Sequence, residues 1–151
     1  MNENTAHESM IAEGARVWPD ALIVQEVASR DGLQIEPSWI ETDDKIALIN
    51  RLSGLGFTRI EAGSFVSPKA VPTLRDSDTV FRRIARLPGI VYVALVPNAR
   101  GAEHTIDAKA DELNLVMSAS ETHSRANMRM SCDLAYSFRG HCAHRAFFTS
   151  Q

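Results

Sequence analysis

Residues 26–36 read Glu26-Val27-Ala28-Ser29-Arg30-Asp31-Gly32-Leu33-Gln34-Ile35-Glu36, and the apolar run Ala21–Val24 leads directly into them. A strand that ends where an arginine, an acid, a glycine and an amide stand together has a chemical reading. A cation beside a carboxylate at a strand's C-terminal end can hold a metal and an anionic oxygen side by side. The glycine lets the backbone turn tightly enough to aim both side chains into one space. Asp31 is therefore the candidate carboxylate ligand for a hard divalent cation, and Arg30 the electrophile that steadies an enolate oxygen. A plain salt-bridged pair in a loop is the competing reading. Gln34, one short turn on, is placed to orient a substrate oxygen or a metal-bound water.

Outward from this stretch, strand-like and helix-like segments alternate. Ala21–Ala28 suits a buried parallel strand. Thr42 is positioned to cap a helix through Asp43–Leu55, with Ile46, Ile49 and Leu52 at helical spacing, Asp43 and Asp44 at its start, and Gly54 and Gly56 as a stop. Phe57–Ala62 is the second strand and Ser77–Leu87 the second helix, closed by Pro88-Gly89. Ile90–Val96 is the third strand, Ala99–Ala108 a weaker helix, Glu112–Met117 the fourth strand, and Glu121–Met130 opens a fourth helix. Four βα units at ~25–35 residues each imply a parallel α/β sheet with right-handed crossovers. An open doubly wound sheet and part of a (β/α)8 barrel both fit. No Gly-x-Gly-x-x-Gly follows the first strand, which weighs against a nucleotide-binding sheet.

The remaining features bound the class. A chain of 151 residues, 44% apolar and 23% charged, is the size and composition of one globular domain. A net charge of −3 supports neither a nucleic-acid nor a membrane surface. Cys132 and Cys142 do not make a disulfide framework, and the acidic N-terminus (Glu3, Glu8, Glu13) lacks the layout of a signal peptide. A cytoplasmic location is the expectation. From Thr122 onward the chain carries four basic residues (Arg125, Arg129, Arg139, Arg145) against one acid, Asp133, and Ala135–Gln151 has no clean period. The expected organisation is a polar extension at 1–20, a domain at 21–130 and a poorly patterned tail at 131–151.

Other chemistry-bearing residues are fewer. Glu61 lies inside a strand, where a charge is costly unless paired. In a barrel it faces the same mouth as Arg30, and a Glu–Arg pair would orient the arginine. An exposed Glu on an edge strand is the alternative. Ser64, Ser67, Pro68 and Lys69 form the next loop, with Lys69 read as solvated. Asn98 and Ser120 are read as helix caps. His141-Cys142-Ala143-His144 has a spacing that suits two ligands on a helix, but no strand precedes it and no acid lies near. His104 and His123 are read as surface residues.

The stretch Gln25–Glu36 resembles the first-strand signature of hydroxymethylglutaryl-CoA lyase, a member of a superfamily of TIM-barrel metal-dependent lyases and Claisen-type synthases. Three further blocks resemble the same family in order: Ile60–Pro72, Leu95–Gly101 and Ser118–Asn127. The resemblance covers about residues 20–129. It implies an incomplete (β/α)8 barrel and the cleavage of 3-hydroxy-3-methylglutaryl-CoA to acetyl-CoA and acetoacetate with Mg2+ or Mn2+, a step of leucine degradation and ketone-body metabolism. It implies that Asp31 binds the metal, that Arg30 stabilises the enolate, that Gln34 is the nearby amide and that Glu61 orients the arginine. It implies an acyl-CoA thioester as the small-molecule partner; charge and the lack of a long apolar run give the expectation of no nucleic acid and no membrane.

The sequence departs from the family's pattern. A TIM barrel takes about 250 residues, and the family's His-x-His metal pair, its catalytic cysteine in a glycine-rich loop and its late metal-binding asparagine have no counterpart here. The expectations are that the frame is lost near Met130, that this chain alone binds metal poorly and cleaves little, and that a homo-oligomer is the simplest rescue. An inactive remnant, an oligomerising module, and another lyase or synthase of the superfamily remain open alternatives.

Overall fold

A computed structural model of the protein describes residues 21–116 and 118–137. The polar extension and the run His141-Cys142-Ala143-His144 lie outside the described residues. Strands β1 (Gln25–Glu26), β2 (Arg59–Ser64), β3 (Val91–Val96) and β4 (Glu112–Leu115) pair in the order β1-β2-β3-β4, every neighbour parallel. Helices α1 (Thr42–Ser53), α2 (Ser77–Arg83), α3 (Ala99–Asp107) and α4 (Glu121–Met128) alternate with them. Spatial order that follows chain order belongs to a barrel, because a doubly wound sheet reverses about a switch point. The fold is four βα units of a TIM barrel.

Helices α1, α2 and α3 lie against one face of the sheet. Ile46 and Ile49 from α1, Val80 and Phe81 from α2, and Ile84 just beyond it meet Ile60, Ala62, Tyr92 and Ala94 from the strands in one buried cluster. Phe65 tilts against Phe81 with ring centroids 5.7 Å apart. The opposite face carries Gln25, Arg59, Glu61, Glu112 and Asn114 by strand alternation and register. Val91, Val93 and Leu95 of β3 share that face, so what a barrel would enclose here mixes polar and apolar side chains.

Several elements depart from their expected bounds, each for a local reason. The first strand is two residues long, not eight. Leu22, Ile23 and Val24 have no partner strand among the described residues and are 66–80% exposed, which corrects the expected burial of Ala21–Val24. Ala28–Gly32 instead winds as one π turn, with Asp31 N–H donating to Val27 O at 2.7 Å. Thr42 does not cap α1; its hydroxyl donates to Asp76 Oδ2 at 2.7 Å, and the cap position is Glu41. The second strand runs two residues later than expected because Gly56, at φ +90°, turns the chain and Phe57 is used as edge packing. It continues past Glu61 because Gly63 lets α2 close in: a Cβ there would meet Ser77 Oγ at 2.8 Å.

Helix α2 ends early because Ile84 turns extended and buries its side chain, while Asn50 Oδ1 accepts from Ala85 N–H at 2.8 Å. Of the tail from residue 131, the described part reaches residue 137. Residues 132–137 are helical and Ala135 is buried. Among the described residues no helix is long and apolar enough to cross a membrane.

Candidate active site

The π turn after β1 presents consecutive side chains to different partners. Ser29 is buried, and its hydroxyl donates to Glu61 O at 3.0 Å, pinning the turn to β2. Arg30 reaches back over the sheet, where Nε donates to Glu61 Oε1 at 2.5 Å. Nη1 donates to Asp31 Oδ1 at 2.7 Å. Glu61 is 1% exposed, Arg30 15% and Asp31 61%. The arginine thus bridges a buried acid and a solvent-facing one. The salt-bridged reading of the Arg30–Asp31 pair is what the geometry shows, and the pair stands at the C-terminal end of the sheet. The paired reading of Glu61 holds and the exposed one does not.

The structure adds two donors to Glu61 that the sequence analysis left without a role. Gln25 Nε2 from β1 and Asn114 Nδ2 from β4 both donate to Oε2, at 2.8 and 3.2 Å. Their signal was alternation. In β4, Glu112 and Asn114 occupy successive positions of one face in a strand otherwise apolar. The register shift between Glu61 and Gly63 sits immediately beyond the acid, as bulges do where a strand re-aims a functional side chain.

Gln34 does not join the cluster through its side chain. No hydrogen bond links that amide to Arg30, Asp31 or Glu61 among the described residues, and its backbone carbonyl accepts from Thr73 Oγ1 at 3.3 Å. That bond belongs to a second network tying the loop after β1 to the segment before α2. The nearly buried Lys45 donates from Nζ to Thr73 O at 2.6 Å and to Asp76 Oδ1 at 2.7 Å. Its ammonium stands 3.8 Å from the centre of the Trp39 ring, which Arg75 approaches at 4.0 Å. Lys45 is not among the residues the sequence analysis singled out.

Asn98 and Ser120 cap α3 and α4 as expected, accepting from Gly101 N–H at 2.9 Å and His123 N–H at 3.4 Å. His104 and His123 are exposed as expected, and His123 also bonds Ser118 Oγ and Asn127 through its two ring nitrogens. Lys69 is exposed as well, and it borders a cleft of about 550 Å3 with Ser67, Asn98, Arg100 and His104.

A metal fits this site only in part. One guanidinium stands against two carboxylates, so the cluster as a whole favours a cation. A hard divalent ion, however, takes about six oxygen ligands, and no group of three or more His, Cys, Asp and Glu gathers among the described residues. Asp31 is the one acid directed outward.

The HMGL-like family model matches residues 21–146. The chain belongs to the HMGL-like family. It is 49% identical over 114 residues to a hydroxymethylglutaryl-CoA lyase of Bacillus subtilis, covering 76% of this chain and 38% of that protein. It is 43% identical over 113 residues to a 3-hydroxy-3-isohexenylglutaryl-CoA/hydroxymethylglutaryl-CoA lyase of Pseudomonas aeruginosa, covering 75% and 38%. Among solved structures, an HMG-CoA lyase of Acinetobacter baumannii in complex with coenzyme A and 3-methylmalate superposes with a TM-score of 0.80 at 55% identity, over 86% of this chain and 43% of that one. The chain spans less than half the length of the relatives it matches.

Proposed function

We propose that the chain carries the strand-1 to strand-4 part of a hydroxymethylglutaryl-CoA lyase site, for cleavage of 3-hydroxy-3-methylglutaryl-CoA into acetyl-CoA and acetoacetate. The observation that supports it most is the disposition of Arg30, held from behind by a buried acid and from the side by Asp31 at the C-terminal end of the sheet. In this cleavage the tertiary hydroxyl loses its proton and becomes the ketone of acetoacetate. The adjoining carbon–carbon bond breaks, and its electron pair leaves on acetyl-CoA as an enolate that then takes up a proton. Glu61 and Asp31 occupy two of the five N–H donors of Arg30. The remaining donors are available to the oxygen on which charge develops, a pre-arranged electrostatic contribution. Asp31 is the proposed protein ligand of a Mg2+ or Mn2+ ion, and the described residues alone hold such an ion weakly.

The test is metal-stimulated acetoacetate release by the purified chain. Release abolished by Arg30→Met and made metal-independent or lost by Asp31→Ala supports the proposal. Release indifferent to both substitutions overturns it. The double substrate name of the Pseudomonas aeruginosa relative favours a second reading within the same chemistry, a longer branch on the hydroxyl-bearing carbon. A panel of 3-alkyl-3-hydroxyglutaryl-CoA thioesters separates the two by kcat/KM. The proposal includes self-association, supported by the exposed Leu22, Ile23 and Val24 beside β1 and the partly exposed Val116 beside β4, at the two open margins of the sheet.

A further inference from the structure

We infer that Gln25 and Asn114 are positioning residues for Arg30, acting through Glu61. The inference rests on the lyase reading for the purpose of that arginine. Glu61 is buried, and a carboxylate's last torsion is broad and two-fold, so one bond to Oε1 fixes a distance but not the plane. The two amides fix the plane. Gln25 comes from β1 in register with Arg59, two residues before Glu61. Asn114 comes from β4 in register with Leu95, two residues after the Val93 that pairs with Glu61. They therefore reach Oε2 from opposite strands and opposite ends of the sheet.

The amide orientations are set by their neighbours. Arg59 Nε donates to Gln25 Oε1 at 3.4 Å, and Arg59 is itself paired with Glu112. A guanidinium only donates and an ionised carboxylate only accepts, so Gln25 turns its oxygen to Arg59 and its NH2 to Glu61. A continuous chain of groups, Glu112, Arg59, Gln25, Glu61, Arg30 and Asp31, runs from the start of β2 and β4 to the loop after β1.

The consequence concerns which donors of Arg30 stay available. A carboxylate with both oxygens unclaimed engages a guanidinium through two parallel N–H···O bonds, from Nε and Nη2. Here Oε2 is claimed by the amides, the contact with Glu61 is through Nε alone, and Nη2 has no acceptor among the described residues. The amide pair holds Glu61 to a one-point contact and leaves Nη2 for substrate. Apolar side chains at both positions would let Glu61 swing onto Nη2 and withdraw it.

The experiment is 15N-arginine NMR of the whole chain, reading rotation about the Cζ–Nη2 bond of Arg30 and its N–H exchange with water. The variants are Gln25→Met, Asn114→Leu and both together, with Asn114→Gln retaining an amide donor. Expected are slowing of Arg30 Nη2 rotation and exchange by about fivefold in the double variant, the factor one net hydrogen bond carries, smaller slowing in each single variant, and the wild-type pattern in Asn114→Gln. Thermal unfolding accompanies each spectrum, so that loss of fold is not read as slowing, and the single variants decide if the double one does not fold. Arg30 resonances unchanged in the apolar variants overturn the inference. No substrate enters the measurement, so its outcome is independent of whether the chain cleaves the thioester, and the response of acetoacetate release to Arg30→Met and Asp31→Ala tests the lyase reading separately.

Discussion

Arg30 is the residue on which the largest energies meet. Its partner Glu61 is 1% exposed, whereas Asp31 is 61% exposed, and the two ion pairs are consequently unequal. Removing the cation leaves a carboxylate stranded in the sheet, so Arg30→Met is expected to destabilise by about 3–5 kcal/mol. Asp31→Ala breaks a pair that water already screens and is expected to cost under about 1 kcal/mol. Urea unfolding of the two variants measures the contrast, and equal losses would show that Glu61 is not held by Arg30. Stability and proposed chemistry thus separate at neighbouring residues: Arg30 serves both, Asp31 chemistry alone. Cys132 gives a third residue-level expectation. Desolvation, and next the Glu121 carboxylate beside it, raise the thiol above its ordinary pKa. With the proton retained, alkylation by iodoacetamide at neutral pH is expected to run slower than for an exposed peptide cysteine, measured in a Cys142→Ala background so that one thiol is followed.

Among the elements, the loop after β1 and the segment before α2 are held together by a buried ammonium rather than by apolar packing. Lys45 meets Asp76, Thr73 O and the Trp39 ring. Asp76→Ala strands the ammonium and is expected to cost about 3–5 kcal/mol, whereas Lys45→Met with Asp76→Leu replaces both by apolar volume and is expected to recover most of that loss. Thermal unfolding of the double-mutant cycle reads it. This network shows what pattern reading can and cannot reach. The periodicity of Ile46 and Ile49 located α1, because core-facing residues must recur at the helical repeat. Lys45 immediately precedes Ile46, and nothing in a one-dimensional pattern says that a lysine is neutralised by an acid 31 residues away. The same holds within the site. Arg30 and Asp31 announced themselves by adjacency and Glu61 by being a charge inside a strand. Gln25 and Asn114 matter only because β1 and β4 converge on one carboxylate oxygen, which depends on register. Strand ends slipped for a related reason, since where β2 stops is set by the space Gly63 opens beneath Ser77 rather than by local propensity. Gly63→Ala is therefore expected to cost about 1–3 kcal/mol through forced displacement of Ser77.

At the scale of the whole molecule, four strands in barrel order leave two margins. β1 pairs only with β2 and β4 only with β3 among the described residues. Beyond β1 stand Leu22, Ile23 and Val24 at 80%, 72% and 66% exposure, and beyond β4 stands Val116 at 43%. Isolated exposed apolar residues are ordinary on protein surfaces, but here three in succession lead into a strand with one edge unpaired among the described residues, which adds backbone donors and acceptors. Two forces then act in the same direction on any second copy: burial of those side chains and completion of the hydrogen-bond ladder. The net charge of −3 is too small to oppose association at physiological salt, where surface charges are screened beyond about 8 Å. The chain is expected to self-associate with rising concentration, and Leu22→Ser with Val24→Lys is expected to shift it toward monomer by both routes, less apolar area and a charge on the edge. Light scattering across a concentration series measures the shift, with far-ultraviolet dichroism confirming that the sheet survives. Because these two side chains lie outside the Arg30–Glu61–Asn114 cluster, Arg30 resonances should be unaltered in the same variant. A loss of those resonances together with the oligomer would mean instead that association assembles the site rather than merely covering its margins.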